Sequence, residues 1–310
     1  MRFKVFLCMV ALCLAVCSSV VAGNMPALQQ ISEHTYAQVD TKDATPAGSF
    51  GSNAGLVVGR DAALVIDTFI SAKEADGFLA NIRKVTDKPL KYVVNTHHHL
   101  DHTWGNCVFA KLGAVVIAQE NALAHKSEDA HTFAHPKAQG LTRKDLEGTT
   151  LQDPTITFKD SMKIDLGGVT VELTYPGPTH TDDSILVYVV QDKVLFTGDI
   201  LFTHYHPYVA DGDIPRWQQV VGELEQSPAT KIIPGHGPVS SKADLEAMKT
   251  YLREFDTQAK ALCAGKAAND APAVAKELIA RLPQQQRIEL PVLVEFNLRL
   301  KYLPRPQTKE

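Results

Sequence analysis

The chain has 310 residues, 45% of them hydrophobic and 21% charged, with a formal charge of −4. That much apolar material can bury a substantial core in one large or two small domains, which excludes a disordered chain. The mildly acidic balance, with no Lys/Arg cluster, argues against partnership with nucleic acid or an anionic membrane.

The N-terminus carries Arg2 and Lys4, an apolar stretch from Val5 to Val16, then Ser18, Ser19 and the small-residue run Val20-Val21-Ala22. This is a secretory signal-peptide pattern, with cleavage expected after Ala22. The apolar stretch is short for a membrane span of about 20 residues, and Val16 is larger than a lipobox before Cys17 tolerates. Residues 1–22 are therefore expected to be removed and the protein exported, periplasmic or secreted, with no membrane association afterwards. Loss of Arg2 and Lys4, and of no acid, takes the formal charge from −4 to −6. Cys8, Cys13 and Cys17 leave with the signal; Cys107 and Cys263 remain, too few for a disulfide framework. Cys107 is expected to be a buried small hydrophobe on a helix.

Strands are predicted at Thr35 to Val39, Gly55 to Val58 and Ala63 to Asp67, with Gly59-Arg60-Asp61 turning between the last two. Ala72, Ala75, Phe78, Leu79, Ile82 and Val85 have helical spacing, capped by Ser71 with Glu74 three residues on. A strand over Lys91 to Val94, a helix over about Thr103 to Leu112, a strand over Val115 to Ala118 and a helix near Glu120 to Lys126 follow; the alternation implies an α/β fold. Residues 127–153 are polar and turn-rich and read as a surface excursion near a site mouth, with His131 and His135 solvated. A second sheet half is predicted from Thr155 to Phe158, Met162 to Ile164, Val169 to Tyr175, Ser184 to Val190 and Lys193 to Thr197, its loops holding His180 and Asp199. A helix around Pro215 to Glu225, the strand Lys231 to Ile233, the loop Pro234-Gly235-His236-Gly237 and a long helix from about Ser241 to Cys263 complete a main domain over 23–264. Residues 265–310 form a helical extension expected to pack on that domain. Within it, Leu290 to Leu303 has an apolar spacing that fits its own domain or a partner, so oligomeric state stays open.

The chemistry concentrates at His97-x-His99-x-Asp101-His102, four metal-capable side chains in six residues after Tyr92-Val93-Val94. Imidazole and carboxylate are zinc ligands where no thiolate is offered. On an extended backbone His97 and His99 share a face and His98 takes the other, so one ion can hold the first two. Asp101 and His102, at the start of a following helix, suit a second ion. His180, Asp199 and His236 lie downstream in turn-rich contexts and are the candidate partners.

These residues carry a resemblance. Val65-Ile66-Asp67-Thr68, the His97 to His102 motif, Gly177-Pro178-Thr179-His180-Thr181, Phe196-Thr197-Gly198-Asp199 and Pro234-Gly235-His236-Gly237, in that order, resemble the metallo-β-lactamase superfamily over about residues 34 to 264. The resemblance implies a four-layer αββα sandwich with the site along one sheet edge. It implies two Zn2+ per chain, the first on His97, His99 and His180, the second on Asp101, His102 and His236, with Asp199 between them and Asp67 orienting a ligand from outside. It also implies a metal-bridging hydroxide that cleaves an ester, lactone, thioester or amide bond, β-lactams included, with Asp101 relaying the proton. An iron-dependent oxygenase like the persulfide dioxygenases, with one iron, is the alternative on the same fold. Asp199 stands where many zinc β-lactamases carry Cys, and no Lys or Arg follows it before Arg216, so a grip on an anionic β-lactam is not expected. The segment Phe202 to Trp217 is the expected substrate wall, through His204, Tyr205, His206 and Arg216, with Tyr208 beside them and Trp217 either in the wall or in the core. No Gly-x-Ser-x-Gly elbow competes.

Overall fold

Two sheets stacked face to face, each covered outside by helices, order the described residues. The computed structural model describes residues 25–40, 43–283 and 289–304; the expected signal segment 1–22 lies outside them. Among the described residues no helix is long and apolar enough to cross a membrane.

The first sheet runs β1 (Gln29–Gln30), β2 (Thr35–Gln38), β3 (Ala54–Val58), β4 (Ala63–Ile66), β5 (Leu90–Val94), β6 (Val115–Gln119) and β7 (Ile156–Phe158) in spatial order. Its first four strands are antiparallel and β4 to β7 parallel. The second sheet holds β8 (Ser161–Asp165), β9 (Thr170–Thr174), β10 (Leu186–Val189), β11 (Val194–Phe202) and β12 (Lys231–His236), antiparallel except for the β11–β12 pair. Period-two alternation builds the layers. Along β4, Leu64 and Ile66 enter the core between the sheets while Ala63 and Val65 face the helices outside; β5 and β6 split Val94 and Ile117 from Val93 and Val116 in the same way.

Helix α1 (Ala72–Val85) starts where Ser71 Oγ accepts from Glu74 N at 3.2 Å, and it buries Ala75, Phe78 and Ile82 against the first sheet. The predicted helix over 103–112 is two short pieces, α2 (Leu100–Thr103) and α3 (Asn106–Ala110), separated at Trp104-Gly105. Gly105 is pressed so close to Thr68 that a Cβ there would lie 1.9 Å from its carbonyl oxygen, which bends the chain away from a straight helix. The polar stretch 127–153 contains α4 (Lys126–Ala134); its Phe133 meets Trp104 edge-on, and Leu141 and Leu146 join that small cluster. His131 and His135 are exposed, as expected. The segment over 155–158 was expected in the second sheet half; it pairs instead with β6 in the first sheet, because Ile117 to Gln119 offer it a free parallel edge.

On the opposite face α5 (Ile214–Leu224) and α6 (Lys242–Cys263) cover the second sheet. Buried Leu245, Met248, Leu252, Phe255 and Ala259 recur at three- and four-residue spacing along α6, after a Ser241–Asp244 capping box. The C-terminal segment packs into this same core: α7 (Ala271–Arg281) through Val274 and Leu278, α8 (Val292–Asn297) and the wider turn after it through Val294, Leu298 and Leu303. Leu278 is fully buried there. Leu278→Ala is expected to cost about 2–5 kcal/mol of global stability in chemical denaturation; a loss within about 0.5 kcal/mol, the range of surface substitutions, would separate the extension from the domain core.

Candidate metal centre

Each candidate ligand stands at one end of the sandwich. His97, His98 and His99 lie in the bend between β5 and α2 rather than on extended backbone, yet His97 and His99 still meet, ring centres 4.7 Å apart, while His98 turns elsewhere. Asp101 and His102 sit on α2, and His180 on the loop between β9 and β10. His236 ends β12. Asp199 was expected in a loop after its strand; it falls inside β11, at a stretch where the register with β12 slips on both sides of Gly198. Gly235 makes the position tenable, because a Cβ there would lie 1.8 Å from Asp199 Oδ1.

The groups converge on Asp199. Its Oδ2 is 3.4 Å from His180 Nε2, 3.4 Å from His236 Nε2 and 3.9 Å from His97 Nε2, and its Oδ1 is 3.2 Å from His102 Nε2. Asp101 Oδ2 lies 3.3 Å from His236 Nε2 and 3.4 Å from His102 Nε2, and His99 Nδ1 lies 2.9 Å from His180 Nε2. The ligand atoms fall into two metal-sized groups, His97, His99, His180 and Asp199, and Asp101, His102 and His236. Asp199 touches members of both.

The ring nitrogens facing away from the centre are tied down on four of the five histidines, while His180 Nδ1 is buried without a hydrogen-bond partner among the described residues. His102 Nδ1 donates to Asp67 Oδ2 at 2.9 Å, His99 Nε2 to Asp211 Oδ2 at 3.1 Å and His236 Nδ1 to the Phe50 carbonyl at 3.2 Å. Thr96 Oγ1 donates to Asp67 Oδ2 at 2.7 Å, which leaves it to accept from His97 Nδ1 at 3.1 Å. A proton parked outside leaves a lone pair inside whenever the ring is neutral, the tautomer a metal requires. His97 Nε2, His102 Nε2 and Asp199 Oδ1 are buried without a well-formed hydrogen bond among the described residues. Buried polar atoms left so cost about 1–3 kcal/mol each, and divalent cations at the two foci would satisfy all three. The residues fit metal.

Charge divides the centre. Burial, assisted by the neighbouring His102, holds His97 well below the ordinary imidazole range, and burial takes His180 down to about 3. Burial opposes charge on His102 and His236 as well, but the carboxylates of Asp101 and Asp199 overcome it and raise His102 well above its usual range and His236 to about 9. Burial likewise works against the anion of Asp199, and the imidazoles of His236 and His102 outweigh it, keeping the carboxyl well below its ordinary range. Asp101 is lowered too: burial opposes its charge, and His102 is the main attraction.

The expected substrate wall needs correction. His206 is buried and its Nδ1 meets Tyr251 Oη at 2.7 Å within the α6 core, so a ligand at the centre cannot reach it. Arg216 donates to the Pro176 carbonyl and pairs with Glu223 at 2.8 Å, which occupies its guanidinium on the flank of α5. Trp217 is core, its Nε1 donating to Ile200 O. Tyr205 is buried behind His236, ring centres 5.5 Å apart, and His204 is exposed. Tyr208, half-buried where Phe202, Tyr205 and Trp217 are buried, also flanks the ligands, 5.6 Å from His99 and 6.3 Å from His180. Asp211 escaped sequence reasoning because no spacing links it to a histidine 112 residues away.

Protonated His102 and His236 must shed protons to bind metal, whereas His97 and His180 are already neutral. Near pH 7, calorimetry in buffers of different ionisation enthalpy should show close to two protons released on filling the Asp101 group, and affinity there should fall as pH drops. Release of no protons would overturn this division. Asp67→Asn should weaken metal binding about 10–100-fold, read by competition with a chelator; unchanged affinity would deny Asp67 its orienting role.

Comparison with known proteins agrees with this geometry. The metallo-β-lactamase superfamily profile matches residues 47–236. The linear primary-alkylsulfatase of Pseudomonas sp. is 27% identical over 225 residues, 62% of this chain and 42% of that protein, so the chain spans less than half of this relative. The type 2 metallo-β-lactamase of Bacteroides fragilis is 20% identical over 233 residues, 74% of this chain and 86% of that protein. The solved metallo-β-lactamase from Pontibacter korlensis superposes with a TM-score of 0.59 at 24% identity, over 73% of this chain and 98% of that one. With sandwich, centre and profile in agreement, the chain belongs to the metallo-β-lactamase superfamily.

Proposed function

We propose that the chain is an exported dinuclear zinc hydrolase that cleaves an ester, lactone, thioester or amide bond of a small molecule. The observation that carries this reading is the single buried carboxylate of Asp199 lying within 3.2–3.4 Å of histidines from both ligand groups. His97, His99 and His180 would hold one ion and Asp101, His102 and His236 the other, with Asp199 common to both. Zinc held there supplies Lewis acidity toward the scissile group and brings the pKa of a coordinated water near 7.

The chain's own groups do the rest. Asp101, an anion at neutral pH, is an acceptor for a proton from the attacking water and can return it to the leaving group. The buried faces of Phe202 and Trp217, which pack on His236 and His180, keep the ligands dry on the core side. Tyr208 offers a ring to one flank of the substrate. The alkylsulfatase relative favours an ester-type leaving oxygen; that relative is larger, so sulfate esters join the panel as one class among several. An anionic β-lactam finds no help from Arg216, whose guanidinium is engaged with Glu223. The export reading rests on the pattern of residues 1–22.

Metal analysis of the purified chain is expected to give close to two zinc per chain, and a panel of nitrocefin, a lactone, a thioester, a carboxylic ester and an alkyl sulfate should show turnover of an ester-type member. One iron with oxygen consumption would overturn the reading. Asp101→Ala should lower kcat about 10²–10⁴-fold while metal remains bound; full turnover in that variant would remove Asp101 from the proton path.

A further inference from the structure

We propose that His98, His125 and Asp182 form an additional divalent transition-metal site at the rim of the centre, separate from the two ligand groups inside it. Their candidate ligand atoms all lie within 4.8 Å of one another. His98 sits between two centre ligands in the chain but takes no part in the centre. Its Nδ1 donates to Asp183 Oδ1 at 2.9 Å, and Asp183, 1% exposed, also accepts from Thr181 Oγ1 at 2.6 Å. A buried carboxylate fixing one imidazole nitrogen so that the other keeps its lone pair is how proteins prepare a metal ligand. His98 therefore has the same preparation as its neighbours His97 and His102.

The other two groups come from separate, anchored segments. His125 ends the 3-10 turn Glu120–His125, lies flat on His98 with ring centres 3.6 Å apart and planes 2° from parallel, and brings its Nε2 within 2.7 Å of Asp182 Oδ1. The Asp182 carbonyl accepts from Asn121 Nδ2 at 2.8 Å and from Tyr175 Oη at 2.7 Å, which pins its backbone while its side chain stays half exposed. Parallel rings do not aim in-plane lone pairs at one point, so binding opens the stack by rotation of the less buried His125 ring. Two imidazoles and a carboxylate suit zinc, nickel or copper rather than magnesium or calcium. The cost of opening the stack makes this ion the weakest held.

The test uses zinc alone. The metal-stripped purified chain is titrated against a chromophoric chelator, beside His125→Ala, Asp182→Asn and Asp183→Asn. Wild type should bind one equivalent more than His125→Ala or Asp182→Asn, and Asp183→Asn should weaken that equivalent about 10–100-fold without altering tighter uptake. Asp182→Asn changes a half-exposed side chain and carries the comparison if His125→Ala misfolds. Equal uptake by wild type and Asp182→Asn, or an extra equivalent indifferent to both substitutions, would overturn the site. The readout is a difference between chains, so a centre that binds no zinc would defeat the proposed function and leave this comparison intact.

Discussion

Everything at the active end of the molecule depends on holding one carboxylate, that of Asp199, out of water among imidazole nitrogens. A buried carboxylate without compensation is expensive enough that proteins neutralise or pair it. Here the compensation comes from four histidines on four different segments, at 3.2–3.9 Å. The rest of the architecture serves that convergence. The parallel strands β4 and β5 deliver Asp67 and the histidine bend to the same edge, β11 delivers Asp199 itself, and β12 ends on His236. Two glycines make the approach sterically tolerable. Gly198 takes φ +49 where a Cβ would meet Thr96 at 2.5 Å, and Gly235 yields to the carboxylate.

The outer hydrogen bonds make the cluster specific. Asp67, in a left-handed conformation uncommon for a non-glycine residue, accepts from Thr96 N, Thr96 Oγ1 and His102 Nδ1. One side chain thereby fixes two ligand histidines, His102 directly and His97 through Thr96. Asn53 donates to the Pro234 and Gly237 carbonyls on either side of His236, and Ser52 donates to the Asp101 carbonyl. The loop before β3 thus clamps the Asp101–His236 group at both of its ends. These contacts convert loose imidazoles into a set with defined tautomers, which a metal centre needs before chemistry can be fast.

The rim shows the same logic at lower stringency. His98 and Asp183 repeat the carboxylate–imidazole arrangement of Asp67 and His102, but their neighbours His125 and Asp182 are partly exposed. Greater exposure means weaker electrostatics and easier rearrangement, so the rim groups are held less firmly than those of the buried centre.

The fold class and the candidate ligand residues were legible in the sequence because both rest on local signals. Alternating Val, Ile and Leu in β4 and β5 mark strands, the Ser71 and Ser241 caps mark helix starts, and the His-x-His-x-Asp-His spacing with His180, Asp199 and His236 downstream marks a candidate metal centre. Tertiary structure decided what no local pattern encodes. It placed β7 in the first sheet, because strand partners are chosen by open edges and not by order. It broke the helix after the motif at Gly105, which must pass the Thr68 backbone. It sent His206 into the core, turned Arg216 to Glu223, and gave Tyr208 and Asp211 the positions beside His99. Ligand identity is a matter of side-chain chemistry, carried by each residue alone; which polar groups face the substrate is a matter of packing, and packing exists only once both sheets have closed on each other.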